Sequence, residues 1–123
     1  MKTKEMMNRL RRKCFGWWYL WVWSIRYQRA IDEAERKRSE DGHRYYVLWD
    51  PIQRRLISLT YDYYKGRSDS YAYLRRRGRF KDPLRRDDFR DACYYFTGSR
   101  NGARSMSDKR KNYNLKRLVR QML

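Results

Sequence analysis

Apolar side chains recur at helical spacing through the first third of the chain. Leu10, Cys14, Trp17, Trp21, Ser24, Gln28 and Ile31 follow a heptad-like rhythm, and no proline falls between positions 4 and 40. The pattern predicts one long helix over residues 4–40, with Gly16 its only glycine. Asp41-Gly42 supplies a stop. Between Gly16 and Ile25 the apolar residues lie on every side of such a helix, so it is either buried all round or offers a face to a partner. The competing reading of that stretch is a strand through Trp17, Tyr19, Trp21, Trp23 and Ile25.

The period then changes from helix-like to strand-like. Tyr45-Tyr46-Val47-Leu48-Trp49 is aromatic and β-branched, and Asp50-Pro51-Ile52-Gln53-Arg54 has the composition of a turn. In residues 55–64, Ile57, Leu59, Tyr61 and Tyr63 alternate with Ser58, Thr60 and Asp62. The expectation is a β-hairpin over 43–64. A lone hairpin is marginally stable, so it needs a helix or a third strand against it. Residues 70–74 are read as that third strand or as the start of a short helix.

Residues 65–81 read as a basic connector. Asp82-Pro83 then carries the signature of a helix start, with Leu84, Phe89, Ala92, Cys93 and Phe96 as its apolar stripe and Gly98 as its end. After a Gly/Ser/Arg loop, Ser105 and Asp108 stand at capping-box spacing. A last helix is expected to run to about Met122, burying Leu115, Leu118, Val119 and Met122. These elements predict an α+β fold: a long N-terminal helix, a hairpin or small three-stranded antiparallel sheet, and two shorter C-terminal helices. The whole is read as one small domain, with parts at 1–41, 43–64, 65–81 and 82–123.

Charge changes the picture more than length does. Among 123 residues there are 32 Lys+Arg against 14 Asp+Glu, a net charge of +18. The excess lies in three blocks of +7 (residues 1–31, 42–81 and 99–123), separated by short, slightly acidic stretches. That distribution excludes a neutral domain with a basic tail. Of the basic residues 23 are Arg, whose planar fork grips phosphate and stacks on rings. Aromatic residues make up 17 %, which argues against ordinary disorder. With a mean hydropathy of -1.19, part of the surface is expected to be satisfied in a complex.

Residues 1–25 have a basic start and an apolar run, but Arg26, Tyr27, Gln28 and Arg29 stand where a signal peptide would have its small-residue cleavage site. The apolar run is also shorter than the roughly 20 residues of a membrane span. Neither a leader nor a span is expected, and a membrane partner is disfavoured. Cys14 and Cys93 suggest no disulfide framework and are read as small apolar residues in a reducing compartment. The expected location is intracellular, or inside a virion or ribonucleoprotein particle.

Signals for catalysis are weak. The one histidine, His43, sits in a loop. Two distant cysteines and one histidine do not make a zinc site, and phosphate-cradling glycine motifs and nucleophile elbows are absent. Asp87 and Asp91 would share a helix face and invite comparison with a metal-dependent nuclease. Neighbouring Arg85, Arg86 and Arg90 explain them better as helix-start carboxylates in ion pairs. No catalytic residue, metal or cofactor is expected.

Signals for nucleic-acid binding are distributed over three patches. Arg9, Arg11, Arg12 and Lys13 crowd the first helix. Arg75, Arg76, Arg77, Arg79 and Lys81 form the densest run, flanked by Tyr71, Tyr73 and Phe80 as candidate stacking rings. Arg100, Arg104, Lys109, Arg110 and Lys111 surround the glycine-containing loop. Trp17 and Trp21 are candidates for partner docking or for a ridge beneath the hairpin. The composition resembles that of small accessory proteins of viruses, mobile elements or ribonucleoproteins. The expectation is a non-catalytic protein that binds RNA or DNA with little sequence specificity. The alternative is a structural subunit of a larger assembly, docked through its Trp-rich helix.

Overall fold

The structure is a computed structural model that describes the backbone of residues 2–80, 84–99 and 102–122, and their side chains from position 17 onward. The first helix, α1 (Lys2–Asp41), is continuous through the Trp-rich stretch. No strand forms there. Gly42, at φ 76°, lets the chain turn away, and its N–H donates to the Arg38 carbonyl at 2.6 Å.

The face that α1 buries is Trp23, Tyr27, Ala30, Ile31 and Ala34, at offsets of 4, 7, 8 and 11 from the first. This differs from the predicted stripe: Trp17, Trp21 and Gln28 are exposed, and Ile31 alone of the described apolar members is buried. Where apolar residues surround a helix, their period does not choose a phase. Two small side chains, Ala30 and Ala34, and the edge-to-face pair of Trp23 with Trp49 (5.7 Å between ring centres, 70°) choose it instead.

β1 (Tyr46–Asp50) and β2 (Arg55–Leu59) form the antiparallel hairpin, in register from Tyr46 opposite Leu59 to Asp50 opposite Arg55. The Asp50 carboxylate builds the turn. It is buried and accepts from the N–H groups of Ile52 (2.9 Å) and Gln53 (3.2 Å) and from the Ser70 hydroxyl (2.6 Å). Arg54 closes the turn at φ 54°, a left-handed conformation rarely adopted outside glycine.

β2 ends at Leu59, five residues short of the predicted strand. Thr60 caps a helix, α2 (Tyr61–Arg67), and its hydroxyl accepts from the Tyr63 N–H at 3.2 Å. Ser68 caps the next helix, α3 (Asp69–Arg76), in the same way. The basic connector is therefore mostly helical, and residues 70–74 take the second of their two expected forms, a short helix, and not the third strand. The overriding signals were local: a hydroxyl cap followed by an early aspartate, at Thr60/Asp62 and at Ser68/Asp69.

Asp82 and Pro83, the predicted helix start, lie outside the described residues. α4 (Arg86–Ala92) begins after Arg85, which makes no side-chain cap, and it ends well before Gly98. The chain then straightens into β3 (Tyr95–Phe96), antiparallel to β1 with Tyr46 opposite Phe96 and Val47 opposite Tyr95. Phe96 thus belongs to a strand and not to the helix stripe. The sheet order is β2-β1-β3. The last helix, α5 (Asp108–Met122), is capped by Ser107, two residues later than the predicted Ser105. The Ser107 hydroxyl accepts from the Arg110 N–H at 3.4 Å, and its carbonyl from the Lys111 N–H at 2.9 Å.

The fold is α+β, with five helices and three strands among the described residues. Its sheet is covered on both faces. On one side Trp49 meets Trp23, the Tyr95 hydroxyl donates to Glu35 at 2.5 Å, and the Lys37 ammonium donates to Ser58, all toward α1. On the other side Tyr46 packs on Phe89 (4.6 Å), which also meets Tyr64 (4.9 Å) and Tyr61 (5.5 Å) from α2. Burial on both faces explains why β1 is a continuous apolar run without alternation.

Several tyrosines of this core have their polar tips satisfied inside. The hydroxyls of Tyr27 and Tyr61 donate to the carbonyls of Tyr94 and Leu84, and that of Tyr94 donates to Gln121. Rings thereby supply apolar area in a very polar chain without leaving those hydroxyls unpaired. Burial raises the hydroxyl pKa of Tyr27, Tyr64 and Tyr95 above the usual value, with neighbouring acidic groups adding to the shift.

Candidate nucleic-acid interface

The densest basic run ends α3. Arg75 and Arg76 occupy its last turn and Arg77 its C-cap. Gly78, at φ 73°, closes a Schellman turn: its N–H donates to Arg75 (3.0 Å), and the Arg79 N–H donates to Leu74 (3.0 Å). Guanidinium groups are favoured at this negative helix end. The turn reverses the chain, so Arg75, Arg76, Arg77 and Arg79 are exposed around one helix terminus. No ion pair joins Arg76, Arg77 or Arg79 to a described carboxylate. Lys81 lies outside the described residues.

The rings beside this run do not behave as expected. Tyr71 is 5 % exposed and packs on Tyr64 (5.5 Å) and Phe80 (6.2 Å), so it is a core residue and not a stacking platform. Its hydroxyl has no hydrogen-bond partner among the described residues. Phe80 is half-buried against the same rings. Tyr73 is half-buried, and the Arg77 guanidinium lies over its face at 4.5 Å. The interleaving of rings with arginines therefore reflects helix amphipathicity: the rings turn inward and the cations outward.

The third predicted patch is partly assembled. Arg104, Lys109 and Arg110 are exposed, and Lys111 is half-buried. Lys111 pairs with Asp108 at 2.9 Å and lies 5.9 Å from the Tyr95 ring centre. Arg110 approaches Asp91 at 3.7 Å. Such exposed pairs stabilise little and leave the cations open to a stronger anion. Arg100 lies outside the described residues, as do the side chains of Arg9, Arg11, Arg12 and Lys13.

Folding also gathers cations that no run announced. Arg44 precedes β1, and Arg86 and Arg90 lie on α4; with His43, Tyr46 and Tyr61 they line an open groove of about 710 Å³. Arg44 is held over Phe96 (4.4 Å), and its Nε donates to the Thr97 carbonyl at 2.9 Å. Arg86 lies over Tyr61 at 5.0 Å. Asp62 and Asp87 share the rim, which offsets much of the positive charge. A second concavity, of about 480 Å³, collects Ser107, Lys109, Arg110, Tyr113, Asn114 and Arg117 along one face of α5. The sequence signal for it was the spacing of 109, 110, 113 and 117, one helical stripe that carries cations and a ring.

The Trp-rich stretch divides in two. Trp23 is core, whereas Trp17 (81 % exposed), Trp21 (63 %) and Trp18 (54 %) face outward. Trp17, Leu20 and Trp21 line a groove against Leu115 and Lys116 of α5. The ridge beneath the hairpin thus holds for Trp23 and not for Trp17 or Trp21. Among the described residues, no helix is long and apolar enough to cross a membrane.

The acidic pair on α4 is exposed and engaged with arginine: Asp87 with Arg90 and Asp91 with Arg110, each at 3.7 Å. No group of three or more His, Cys, Asp or Glu comes together among the described residues. Cys93 is buried, its thiol donating to the Arg90 carbonyl at 2.9 Å, and burial pushes its pKa up to about 12 despite the opposing pull of Arg117, Arg110 and Arg44. His43 is exposed, and its backbone N–H donates to the Asp41 carboxylate at 2.9 Å. No family model, curated protein or solved structure matches the chain.

Proposed function

We propose that this chain binds nucleic acid without catalysis and with little sequence specificity, neutralising phosphates with arginines displayed on several sides of an aromatic core. One observation carries the reading: the exposed arginine cluster at the Schellman-capped end of α3, where Arg76, Arg77 and Arg79 have no described carboxylate partner. Arg76, Arg77 and Arg79 are three guanidinium groups within four residues that repel one another, and a polyanion relieves that repulsion. Distribution of the +18 charge over three blocks suits phosphate contact along a path, not a single reading head.

The test is fluorescence anisotropy with labelled single-stranded and duplex DNA and RNA of one mixed sequence, titrated across salt. Binding should weaken steeply as salt rises, and Arg75/Arg76/Arg77→Glu should lower affinity on the order of 100-fold and flatten the salt slope. Undetectable binding to all four probes, or binding indifferent to salt, would sink the reading.

A second reading rests on Trp17, Trp18 and Trp21. A large exposed ring set beside Leu115 and Lys116 supports docking of this chain into a larger assembly through an interface anchored by tryptophan. A native-salt pull-down with nuclease, repeated with Trp17→Ser/Trp21→Ser, separates the two. A protein retained after nuclease and lost with the tryptophans favours docking; one released by nuclease favours nucleic acid.

A further inference from the structure

Stacking needs a ring that is open, near cations and not already covered. The rings that flank the arginine run fail on one count or another. Tyr71 is core, Phe80 is packed against it, and Tyr73 carries Arg77 on its face. Among the described tyrosines, Tyr63 and Tyr113 are the exposed ones, at 48 % and 63 %. Tyr113 lines a concavity rich in cations.

We propose that the α5 face around Tyr113 is a nucleotide site for single-stranded nucleic acid, in which a base stacks on the Tyr113 ring and its phosphates meet Lys109 and Arg110. The inference deepens the nucleic-acid reading above and rests on it. Lys109, Arg110, Tyr113 and Arg117 fall at offsets of 1, 4 and 8 from Lys109, so all four share one stripe of α5. Arg117 is a fixed member: its terminal nitrogens donate to the carbonyls of Asp91 (3.2 Å) and Cys93 (2.9 Å), and its guanidinium lies 4.7 Å from the Tyr94 ring centre. It therefore adds positive potential without moving. Lys109 and Arg110 are the exposed, loosely held members. Lys109 has no described ion-pair partner, and Arg110 meets Asp91 only at 3.7 Å, with both side chains half or more exposed. Asp91, which meets Arg110, and Asp108, which precedes Lys109 and pairs with Lys111, offset part of the charge of Lys109, Arg110 and Arg117.

Asn114, which also lines the concavity, is 3 % exposed, and its amide donates to the Tyr94 carbonyl at 3.1 Å, tying α5 to the segment before β3. The concavity, about 480 Å³, is open to solvent, as a site for one base of a longer strand must be. A duplex keeps its bases stacked on one another, so only an unpaired base can use the ring.

The experiment compares wild type with Tyr113→Leu and Tyr113→Phe, using a fluorescein-labelled single-stranded 12-mer and a duplex of the same sequence. Tyr113→Leu should weaken single-strand binding about tenfold, within the range of a lost base–aromatic stack. Tyr113→Phe should retain it. Duplex affinity should change less than about twofold, and the salt slope should not move, because no cation is removed. Tyr113 is exposed, so the melting temperature should be unchanged for both variants. Wild-type single-strand affinity in Tyr113→Leu, or equal losses on both probes, would overturn the site. In either case salt-dependent duplex binding would leave the broader reading standing. Absence of binding to every probe would remove both.

Discussion

Phe89 is the residue whose removal tests the architecture most directly. It is fully buried and touches three tyrosine rings: Tyr46 of β1 and Tyr61 and Tyr64 of α2. It is thus the pin between α4, the sheet and α2. Phe89→Ala should lose the transfer free energy of the ring and leave a cavity, together about 3–5 kcal/mol. Phe89→Leu keeps most of the volume and loses the ring pairs, so it should cost about 1–2 kcal/mol. A domain of this size holds roughly 5–15 kcal/mol, so Phe89→Ala takes a large share of its stability. Urea unfolding followed by far-UV circular dichroism and tryptophan fluorescence reads both variants. With an m-value of about 2 kcal/mol/M, the Phe89→Ala midpoint should fall by roughly 1.5–2.5 M. Ile52→Ala, at a 53 % exposed turn position, is the control and should stay within about 0.5 kcal/mol. A Phe89→Ala loss below about 1 kcal/mol would refute the packing, because no ring buried among three others is that cheap to delete.

Three further outcomes are expected. Asp50→Ala should cost about 2–3 kcal/mol by orphaning the N–H groups of Ile52 and Gln53 and the Ser70 hydroxyl, and Asp50→Asn, which keeps an acceptor oxygen, should recover part of that in the same urea assay. Gly98→Ala should lower the melting temperature, since its Cβ would stand 2.7 Å from the Ala103 carbonyl oxygen, which accepts from the Ser99 N–H at 3.0 Å and closes the loop. Cys93, raised from 9.0 to about 12, should react with a disulfide reagent at pH 8 on the order of 100-fold more slowly in the folded than in the unfolded chain. Because its folded pKa lies above its unfolded one, its contribution to stability is whole below about pH 9 and is lost as pH rises toward 12. The raised tyrosines act in the same direction above about pH 10, so circular dichroism should show alkaline unfolding while neutral pH leaves the fold intact.

The elements with a single dominant signal were legible in the chain itself. Forty residues without proline made α1, and a β-branched aromatic run followed by Asp-Pro made β1 and its turn. The stripe of Leu115, Leu118, Val119 and Met122 made α5. Each rests on interactions within a few residues, which a linear pattern records. The balance of charge was equally plain, because counting needs no coordinates.

Tertiary structure decided everything that depended on which of two competing faces is covered. The alternation through Tyr61 and Tyr63 reads as strand; the local Thr60 cap starts a helix there, and the rings around Phe89 decide which of its faces is covered. Two residues, Tyr95 and Phe96, are too few to announce a strand, and only the open edge of β1 makes them one. Trp23 and Trp21 stand two positions apart in an unbroken apolar run. Trp49 covers the first, and nothing among the described residues covers the second to the same degree. Tyr71 beside the arginines and Tyr113 beside Lys109 look alike on paper; packing against Tyr64 and Phe80 buries one and leaves the other open. A side chain's type is written in the chain, but its exposure belongs to its neighbours, and neighbours brought together across long stretches of sequence leave no local trace.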